Sequence, residues 1–443
     1  MSKKVALHNL GCKVNAYEVE AMQQLLEKAG YEIVPFEEGA DIYLINTCTV
    51  TNIADRKSRQ MLHKAKKMNP NAIVVATGCY VQTDTQKLEE DSAVDLILGN
   101  NQKKQIVEAL EEYEKEHTKK VKVIEINKTK EYEDLSIGYT AEHVRAYIKV
   151  QDGCNQFCTY CIIPYARGRV RSRKIAEVLD EVRALAARGY KEVVLTGIHL
   201  SSYGVDFKEE ERESLLSLIQ AVHEVEGIQR IRLGSLEPRI ITEEFMEGIS
   251  SLPKVCPHFH LSLQSGCDKT LRNMNRRYSA AEYAEKCELI RKFYPAPALT
   301  TDVIVGFPME TEEDFEESYE FVKNIHFYET HIFKYSRRQG TKAAVMEGQL
   351  TEAVKSIRSE KMIALHEIRA KEYETSMIGK TLELLLEEEV EINGKTYFMA
   401  HSKEYVRAVI EKTKDHKVND LVRAKAVDFA DEHVLLAICE ELY

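Results

Sequence analysis

Three cysteines stand close together in the stretch GCNQFCTYC, residues 153–161, with the spacing C-x3-C-x2-C. Cys154, Cys158 and Cys161 have a spacing typical of metal ligands, but a closed structural site normally has four ligands. Zinc is the weaker interpretation, because no histidine or second cysteine pair follows at the usual spacing. Three thiolates can instead hold a 4Fe–4S cluster and leave one iron open. An open position is typical of a catalytic metal that binds a substrate or cofactor.

A second set of cysteines, Cys12, Cys48 and Cys79, is widely spaced, but each residue follows the end of a predicted strand. The carboxyl ends of parallel strands meet at one edge of a sheet, so the three thiols are expected to converge on a second cluster. The alternative is simple packing, since free cysteines are among the most buried residues. The other cysteines have no such placement and are expected to pack in the interior: Cys256, Cys267, Cys287 and Cys439.

Alternating strands and helices predict a parallel α/β domain at residues 1–116, which would position the second set. The predicted strands are 5–12, 41–48, 71–79 and 95–100, and the predicted helices are 15–30, 53–70 and 102–116. The polar segment 117–143 is interpreted as a linker with one short strand at 121–126.

The alternation resumes near residue 145 and predicts a second α/β domain at 144–372. Helices are expected between its strands, including 174–189 and 311–325, the latter with Thr311 as its N-cap. A closed parallel barrel has eight βα units, so six units indicate a partial (β/α)6 barrel. Its predicted strands are 145–153, 192–198, 230–236, 258–263, 300–307 and 330–336.

The pattern changes after a long charged helix at about 351–376. Residues 373–443 contain several short strands and an Asn-Gly turn at 393–394, which is typical of a β-hairpin. This predicts a small antiparallel β-barrel, an architecture that often binds RNA through its loops and one face.

The motif GCNQFCTYC resembles the cysteine motif of the radical S-adenosylmethionine enzymes. The resemblance implies that the open iron chelates the amino and carboxylate groups of S-adenosylmethionine. It also implies that an electron from the cluster splits the sulfonium to give a 5′-deoxyadenosyl radical, while the protein positions and shields the cofactor. The cofactor contacts it suggests are Tyr160 near the adenine, Thr196 and Gly197 at the amino group, Val305 and Gly306 at the adenine, and Glu237 and Gln264 at the ribose or methionine. The alternative for these strand-end residues is a purely structural role.

The succession of domains resembles the methylthiotransferases over essentially the whole chain, with the C-terminal module corresponding to their RNA-binding TRAM domain. The resemblance implies an auxiliary 4Fe–4S cluster on Cys12, Cys48 and Cys79 beside the radical-generating 4Fe–4S cluster. The implied reaction replaces an unactivated C–H bond with C–S–CH3, using S-adenosylmethionine both as methyl donor and as radical source. Such a carbon resists acid–base and nucleophilic chemistry, so a radical is needed, and the auxiliary cluster can present the sulfur.

Four segments resemble the branch that acts on N6-threonylcarbamoyladenosine at position 37 of tRNA. They are GCKVN (11–15), INTCTVTNIADRKSRQ (45–60), QDGCNQFCTYCIIPYARGRVRSR (151–173) and LTGIHLSSYG (195–204). The alternatives of the same class are methylthiolation of isopentenyladenosine in tRNA or of a ribosomal-protein aspartate. An alternative of another class is a non-catalytic iron–sulfur RNA-binding protein.

A run of basic residues, YARGRVRSRK (165–174), follows the cysteine loop. Alternate arginines on an extended segment would share one face, which predicts contacts with RNA phosphates. The alternative is a solvated, ion-paired segment. The predicted RNA contacts are Arg167, Arg169, Arg171, Arg173 and Lys174. Residues that could extend this patch are Arg56, Lys57, Arg59, Arg272, Arg276, Arg277, Arg337 and Arg338, whereas His258 and His260 are expected to be structural.

The 443-residue chain has a net charge of −11, which disfavours nonspecific coating of nucleic acid but leaves room for a local basic patch. No apolar run approaches the roughly 20 residues that span a bilayer, and no secretory signal is evident. We therefore expect a cytoplasmic protein without a membrane partner. The expected partners are a tRNA anticodon stem-loop and a flavodoxin- or ferredoxin-like electron donor, and the expected state is a monomer.

Overall fold

The structure is a computed structural model that describes residues 2–140 and 144–440. The last three residues of the predicted linker, 141–143, and the end of the predicted C-terminal module, 441–443, lie outside the described residues. Within the described ranges, no helix combines the length and the apolar character needed to cross a membrane.

The N-terminal sheet is fully parallel and has the strand order β2-β1-β3-β4-β5-β6. The central strand β3 is buried along its whole length, as expected when helices cover both faces. Tyr43 and Ile45 pack on one face, and Ile42 and Leu44 pack on the other. The strands are β1 (Lys4–Asn9), β2 (Glu32–Val34), β3 (Ile42–Thr47), β4 (Ile73–Gly78), β5 (Leu96–Leu98) and β6 (Lys120–Lys122).

Five helices accompany this sheet, and the three long ones agree with the predicted helices to within four residues at each end. The second begins where the Thr51 hydroxyl accepts a hydrogen bond from the Ala54 N–H at 3.1 Å, a typical N-cap. The helices are α1 (Lys13–Lys28), α2 (Asn52–Met68), α3 (Cys79–Thr83), α4 (Thr85–Glu89) and α5 (Ile106–Glu116).

The segment predicted as a linker packs against both α/β domains. Its short strand β6 begins one residue earlier than expected, ends at Lys122 and pairs with β5. Leu135 and Ile137 belong to the main core, together with Tyr17 of α1. The Tyr17 hydroxyl donates to the Leu135 carbonyl at 2.5 Å. Apolar residues within a polar segment therefore attach the first domain to the second.

The second α/β domain contains six parallel strands, in agreement with the six predicted βα units. They lie in two hydrogen-bonded groups, β10-β9-β7-β8 and β11-β12-β13, which isolated parallel bridges connect. The two-residue strand β8 runs antiparallel to β7. The strands are β7 (Arg145–Asp152), β8 (Arg171–Ser172), β9 (Glu192–Gly197), β10 (Arg230–Leu233), β11 (His258–His260), β12 (Ala298–Val305) and β13 (Glu329–Lys334).

Helices lie between these strands, and several have well-formed N-caps. The Thr311 side chain accepts from the Asp314 N–H, which confirms the predicted cap of α12. The helices are α6 (Ile163–Arg167), α7 (Ile175–Ala187), α8 (Leu215–His223), α9 (Glu243–Ser250), α10 (Asp268–Asn273), α11 (Ala280–Phe293), α12 (Glu312–Ile325) and α13 (Glu352–Thr375).

The C-terminal strands form a closed barrel in the order β14-β15-β16-β18-β17. The hairpin between β14 and β15 turns at Asn393 and Gly394, whose φ angles of 51° and 76° fit the predicted turn. All strand pairs are antiparallel except β16 with β18, which is parallel. The expectation of a purely antiparallel barrel is therefore wrong at this one pair. The strands are β14 (Thr381–Ile392), β15 (Lys395–Ser402), β16 (Arg407–Glu411), β17 (Leu421–Asp431) and β18 (Val434–Cys439).

Candidate active site

The widely spaced cysteines converge at one edge of the N-terminal sheet. Cys12 precedes α1, Cys48 follows β3 and Cys79 opens α3, and the strands before them are adjacent in the order β1-β3-β4. A Cβ on Gly11 would lie 3.0 Å from the Cys48 sulfur, which shows how closely the first two loops approach. Burial, followed by the charges of Cys79 and Cys12, raises the pKa of Cys48 to about 11. We call these residues the assembled triad.

Two polar side chains point at the sulfur of Cys79, the most buried member of the assembled triad. The Arg167 Nε donates to it at 3.2 Å, and the Asn100 amide donates at 3.7 Å. Donors of this kind favour the thiolate form, which is the form that binds iron. Cys12, by contrast, is exposed, so the triad is enclosed on one side and open on the other.

The closely spaced cysteines form a second triad, which we call the local triad, in the loop between β7 and α6. The loop is held by backbone hydrogen bonds from Cys154 N to the Gly168 carbonyl and from Cys161 N to the Cys158 carbonyl, both 3.0 Å. Arg276 Nη1 donates to the Cys158 sulfur at 3.3 Å. Burial is the main cause that raises the pKa of Cys154 to about 11 and that of Cys161 to about 12, and the charge of Cys158 adds to both shifts.

The spacing of the sulfur atoms argues against a single zinc ion in either triad. A tetrahedral zinc site with Zn–S bonds of about 2.3 Å places its sulfur atoms about 3.8 Å apart. Within residues 2–140 and 144–440, the only three potential ligand atoms found within 4.8 Å of one another belong to His260, Asp302 and His331. Neither cysteine triad meets this 4.8 Å limit in the described residues, so neither has the close sulfur spacing of a single zinc ion.

A cavity of about 200 Å³ adjoins the loops that carry the two triads. On one side it contacts Val50 and Thr51, which follow Cys48, and on the other it contacts Cys161 and Tyr160. Its remaining wall is mainly apolar and aromatic, with few polar groups, which is typical of a small-molecule site. These further residues are Ile162, Ile163, Gln264, Asp302, Ile304, Phe333, Lys334, Tyr335 and Ser336.

The predicted cofactor residues fall into two groups in the structure. Tyr160 and Gln264 line the cavity, and Gln264 has a φ of +73°, an uncommon conformation that often marks functional sites. Glu237 is buried and lies close enough to Cys154 to contribute to the raised pKa of that thiol. Thr196 is also buried, at the carboxyl end of β9 beside Gly197.

The backbone groups predicted to meet the adenine are already engaged. The Val305 carbonyl accepts from Tyr335 N at 2.9 Å, and the Gly306 N–H donates to a Glu310 carboxylate oxygen at 2.7 Å. A Cβ on Gly306 would lie 2.4 Å from the Lys355 side chain, so this glycine allows close packing of α13. An adenine contact here would have to use the outer face of the strand end or displace these bonds.

Sequence reasoning missed His199, which follows the LTG segment. Burial lowers its pKa to about 4, so the ring is neutral near pH 7. Its Nδ1 lies 2.7 Å from the Ser202 hydroxyl, and its Nε2 lies 3.8 Å from Glu237 without a hydrogen-bond partner. The only available signal was its position two residues after a predicted strand-end site.

Asp302 was also missed, because an acidic residue within an apolar strand carries no spacing signal. It lines the cavity, and its carboxylate lies 3.3 Å from Nε2 of His260. His331 stacks on His260 with ring centroids 5.7 Å apart. His258 is structural as expected, since its buried ring stacks on Tyr405. His260 contacts Asp302 but does not itself line the cavity.

The structure corrects the predicted RNA contacts. Arg167, Arg171 and Arg173 have 0%, 1% and 2% of their surface exposed, so they cannot meet RNA phosphates. Each forms an internal ion pair with an acid on another element. Arg167 pairs with Glu18 of α1, Arg171 with Asp152 of β7, and Arg173 with Glu181 of α7.

Two predicted RNA contacts have a different environment. Arg169 is exposed, and its guanidinium lies over the Phe157 ring at 4.6 Å. The ammonium of Lys174 lies over the Phe207 ring at 4.1 Å. Phe157 in turn meets Tyr165 edge to face at 5.8 Å.

The residues that could extend the basic patch also divide. Arg338 is buried and bonded to Asp55 and Thr49, and Arg276 binds the Cys158 sulfur. Both side chains are therefore engaged with other residues of the protein and do not extend the basic patch. Several others are exposed: Arg56, Lys57, Arg59, Arg272 and Arg277.

Two family models match the chain. The model described as "Uncharacterized protein family UPF0004" matches residues 4–99, and the radical SAM superfamily matches residues 148–322. The first match contains the assembled triad, and the second contains the local triad.

Curated relatives match along nearly the full chain. The threonylcarbamoyladenosine tRNA methylthiotransferase of Bacillus subtilis is 42% identical over 422 residues, which cover 95% of this chain and 93% of the relative. The enzyme of the same name from Aquifex aeolicus is 44% identical and covers 89% of this chain and 95% of the relative. The tRNA-2-methylthio-N(6)-dimethylallyladenosine synthase of Thermoanaerobacter pseudethanolicus is 36% identical and covers 86% of this chain and 81% of the relative.

Solved structures show the fold at low identity. The radical S-adenosylmethionine methyltransferase TsrM from Kitasatospora setae has a TM-score of 0.56 at 16% identity, covering 75% of this chain and 73% of that chain. The cobalamin-dependent S-adenosylmethionine radical enzyme OxsB has a TM-score of 0.52 at 11% identity, covering 84% of this chain and 56% of that chain.

Proposed function

We propose, from the premise that this chain belongs to the radical S-adenosylmethionine tRNA methylthiotransferases, that it converts N6-threonylcarbamoyladenosine at position 37 of tRNA to its 2-methylthio derivative. The reaction consumes two molecules of S-adenosylmethionine, one for the methyl group and one for the radical.

One observation carries the proposal beyond family membership. A single cavity is bordered by Cys161 of the local triad and by Val50 and Thr51, which lie two and three residues after Cys48 of the assembled triad, so one reaction space adjoins the loops of both triads. A methylthiolation needs two functions at one carbon, removal of hydrogen and delivery of sulfur. An iron–sulfur protein with purely structural clusters would have no need for a shared cavity, which disfavours the non-catalytic alternative.

The local triad would hold the 4Fe–4S cluster of the superfamily, and the assembled triad would hold a second 4Fe–4S cluster. When bound, these clusters together with S-adenosylmethionine supply the radical chemistry and the sulfur. The chain itself binds and orients the cofactor and the substrate, and it excludes water. Ile162, Ile163 and Ile304 provide an apolar wall, and Gln264 and Asp302 provide the polar groups that can orient a bound nucleoside.

The choice of nucleoside is supported by the relatives. Two threonylcarbamoyladenosine enzymes are 42% and 44% identical to this chain, whereas the dimethylallyladenosine synthase is 36% identical. The second candidate substrate is therefore isopentenyladenosine in tRNA. A tRNA substrate also supports a cytoplasmic location. A monomeric state and an electron donor of the flavodoxin or ferredoxin type are further parts of the same proposal.

The tRNA is proposed to dock around the cavity mouth and on the C-terminal barrel. The exposed Arg169 and Tyr165 form a cationic and aromatic patch with the half-buried Phe157, directly beside the local triad. Unpaired bases of an anticodon loop stack on aromatic and guanidinium planes, and phosphates pair with arginine. Arg169→Ala should weaken anticodon stem-loop binding a few-fold, whereas Lys87→Ala, an exposed residue outside this patch, should have no effect.

The function is tested by mass spectrometry of tRNA nucleosides from cells that lack the protein. The proposal predicts loss of 2-methylthio-N6-threonylcarbamoyladenosine with its unmethylthiolated precursor retained. Loss of the methylthio isopentenyl nucleoside would favour the second candidate instead. The purified protein should bind about eight irons per chain after anaerobic reconstitution, as expected for two 4Fe–4S clusters.

A further inference from the structure

We propose that Arg167 is a positioning residue that fixes the Cys79 thiolate and raises the reduction potential of the cluster on the assembled triad. This inference rests on the proposed function, because it assumes that the assembled triad holds a cluster. It replaces the RNA-binding role that the sequence suggested for Arg167.

The guanidinium of Arg167 is completely buried and held in one orientation. Its Nε donates to the Cys79 sulfur at 3.2 Å. Its Nη2 donates to Asn15 Oδ1 at 2.5 Å and to Glu18 Oε2 at 3.0 Å, and its Nη1 donates to Glu18 Oε1 at 2.5 Å. With both terminal nitrogens occupied, the Nε–H has no freedom to turn away from the sulfur.

The surrounding charges favour a negative group at Cys79. Four cations lie in this buried network, and the acids that face them are Glu18, Asp152 and Glu133. Because burial raises the pKa of Glu133, the excess is at least one positive charge, and a thiolate or a cluster beside Arg167 can balance it. The four cations are Lys103, Lys149, Arg167 and Arg171.

A charged donor on a cluster sulfur should have a measurable electronic effect. Arginine remains protonated at any working pH, and its hydrogen bonds to anions are stronger in a buried site. Hydrogen bonds to the sulfur atoms are one of the factors that set iron–sulfur potentials. Because the bond stabilises the more negative, reduced form most, its removal should lower the potential.

The same short segment also connects the two triads. The Ala166 carbonyl accepts from Asn100, which contacts Cys79, and the Gly168 carbonyl accepts from Cys154 N at 3.0 Å. Arg167, between them, lies 3.3 Å from the Asp152 carboxylate, whose other oxygen accepts from Gly153 N. Arg167, which holds the Cys79 sulfur of the assembled triad, is thus anchored to the loop that carries the local triad.

The test isolates the cluster of the assembled triad in a Cys154→Ala/Cys158→Ala/Cys161→Ala background, reconstituted anaerobically. Its midpoint potential is measured by redox titration followed by electron paramagnetic resonance. Arg167→Gln should shift the potential to a more negative value. Arg167→Lys, which keeps the charge but not the fork, should give a smaller shift in the same direction. Arg276→Gln removes the arginine of the other loop, whose partner Cys158 is already alanine in this background, and it should leave this potential unchanged.

An unchanged potential in both Arg167 variants would overturn the inference and leave the proposed function standing. If Arg167→Gln does not fold, the Arg167→Lys potential decides alone, and a value equal to that of the parent overturns the inference. If the parent background binds no iron, the two-cluster proposal itself fails, and the inference fails with it. An equal shift caused by Arg276→Gln would also overturn it, since the effect would not be specific to Cys79.

Discussion

The two cysteine triads reach similar three-ligand arrangements by opposite routes. The local triad lies within eight positions of one loop, from Cys154 to Cys161, and its backbone is bonded to itself and to Gly168. The assembled triad takes one cysteine from each of three neighbouring strand ends, and it exists only when the parallel sheet has formed. The local site therefore depends on loop conformation, and the assembled site depends on tertiary packing.

Each triad also has its own arginine. Arg276 binds the Cys158 sulfur at 3.3 Å and Arg167 binds the Cys79 sulfur at 3.2 Å. Arg276 makes further bonds to Tyr278 and to the Ser262 carbonyl, all within the second domain. Arg167 instead bridges residues of both α/β domains. The difference indicates that domain docking contributes to the assembled site and much less to the local one.

The largest expected effect is that of Cys161→Ala in the local triad. Because the superfamily chemistry depends on this cluster, the variant should form no 5′-deoxyadenosine from S-adenosylmethionine and should make no methylthio product. It should retain about four irons, those of the other cluster. Cleavage of S-adenosylmethionine is measured by chromatography under reducing conditions. Substantial cleavage in this variant would contradict the assignment of S-adenosylmethionine cleavage to the local triad.

Cys79→Ala should have a narrower effect, since it removes only the assembled cluster. We expect about half of the iron to be lost, methylthiolation to be abolished and reductive cleavage of S-adenosylmethionine to persist within a few-fold of the wild-type rate. Cys439→Ala in the C-terminal barrel is the matched control and should keep both activities. Loss of cleavage in Cys79→Ala would mean that the two sites are not separable.

A third comparison uses the glycine that precedes each triad. Gly153 has a φ of +73°, and a Cβ there would lie 1.9 Å from the Arg169 carbonyl oxygen. Gly11 has a φ of +109°, and a Cβ there would lie 3.0 Å from the Cys48 side chain. Gly153→Ala should lower the free energy of unfolding by about 3 kcal/mol or more, and Gly11→Ala by about 1–2 kcal/mol.

The control for this pair is Gly379→Ala, at a φ of +86° with no atom within 4 Å of the added Cβ. It should cost about 1 kcal/mol, from backbone strain alone. Urea unfolding of the metal-free proteins measures all three. If Gly153→Ala costs no more than Gly379→Ala, the local loop is not as tightly constrained as the backbone contact implies.

The contrast between the triads also explains how the sequence pointed to each of them. The local triad is visible as a spacing, and the assembled triad is visible because each cysteine ends an apolar strand such as β3 or β4. The parallel order of those strands made convergence a safe expectation. Polar residues such as Asp302 and His199 gave no comparable signal, because their importance depends on strands that are distant in sequence.

The basic run shows why the remaining predictions failed. Arg171 and Arg173 alternate as predicted and do share a face, but this face points inward. Their carboxylate partners, Asp152 and Glu181, lie on β7 and α7. Periodicity gives the spacing of side chains along a strand, but only the tertiary fold decides which side is the interior. In a similar way, Leu135 and Ile137 make the predicted linker part of the core.

The smallest expected effect is a pH dependence of the folding stability. It concerns the assembled triad and not the local one, because Glu18 pairs with Arg167 beside Cys79. Burial would raise the pKa of Glu18, but Arg167, Lys103 and Lys149 outweigh burial and hold the pKa well below its usual range. The unfolded chain, with a glutamate pKa of about 4.3, then binds more protons than the folded chain as pH falls below that value. The stabilisation from Glu18 is therefore present above about pH 4.3 and is lost as pH falls toward the lower folded pKa.

Wild-type stability should consequently fall faster with decreasing pH than that of Glu18→Gln, with a difference in slope of up to about 1.4 kcal/mol per pH unit below about pH 4. Glu18→Gln should be less stable near pH 7, where the buried cations lose a partner, and the gap should narrow on acidification. Urea unfolding of the metal-free proteins at several pH values between about 3 and 7 measures the gap. A gap independent of pH would mean that Glu18 acts through packing and not through its charge, and the assembled triad would then owe its stability to shape alone.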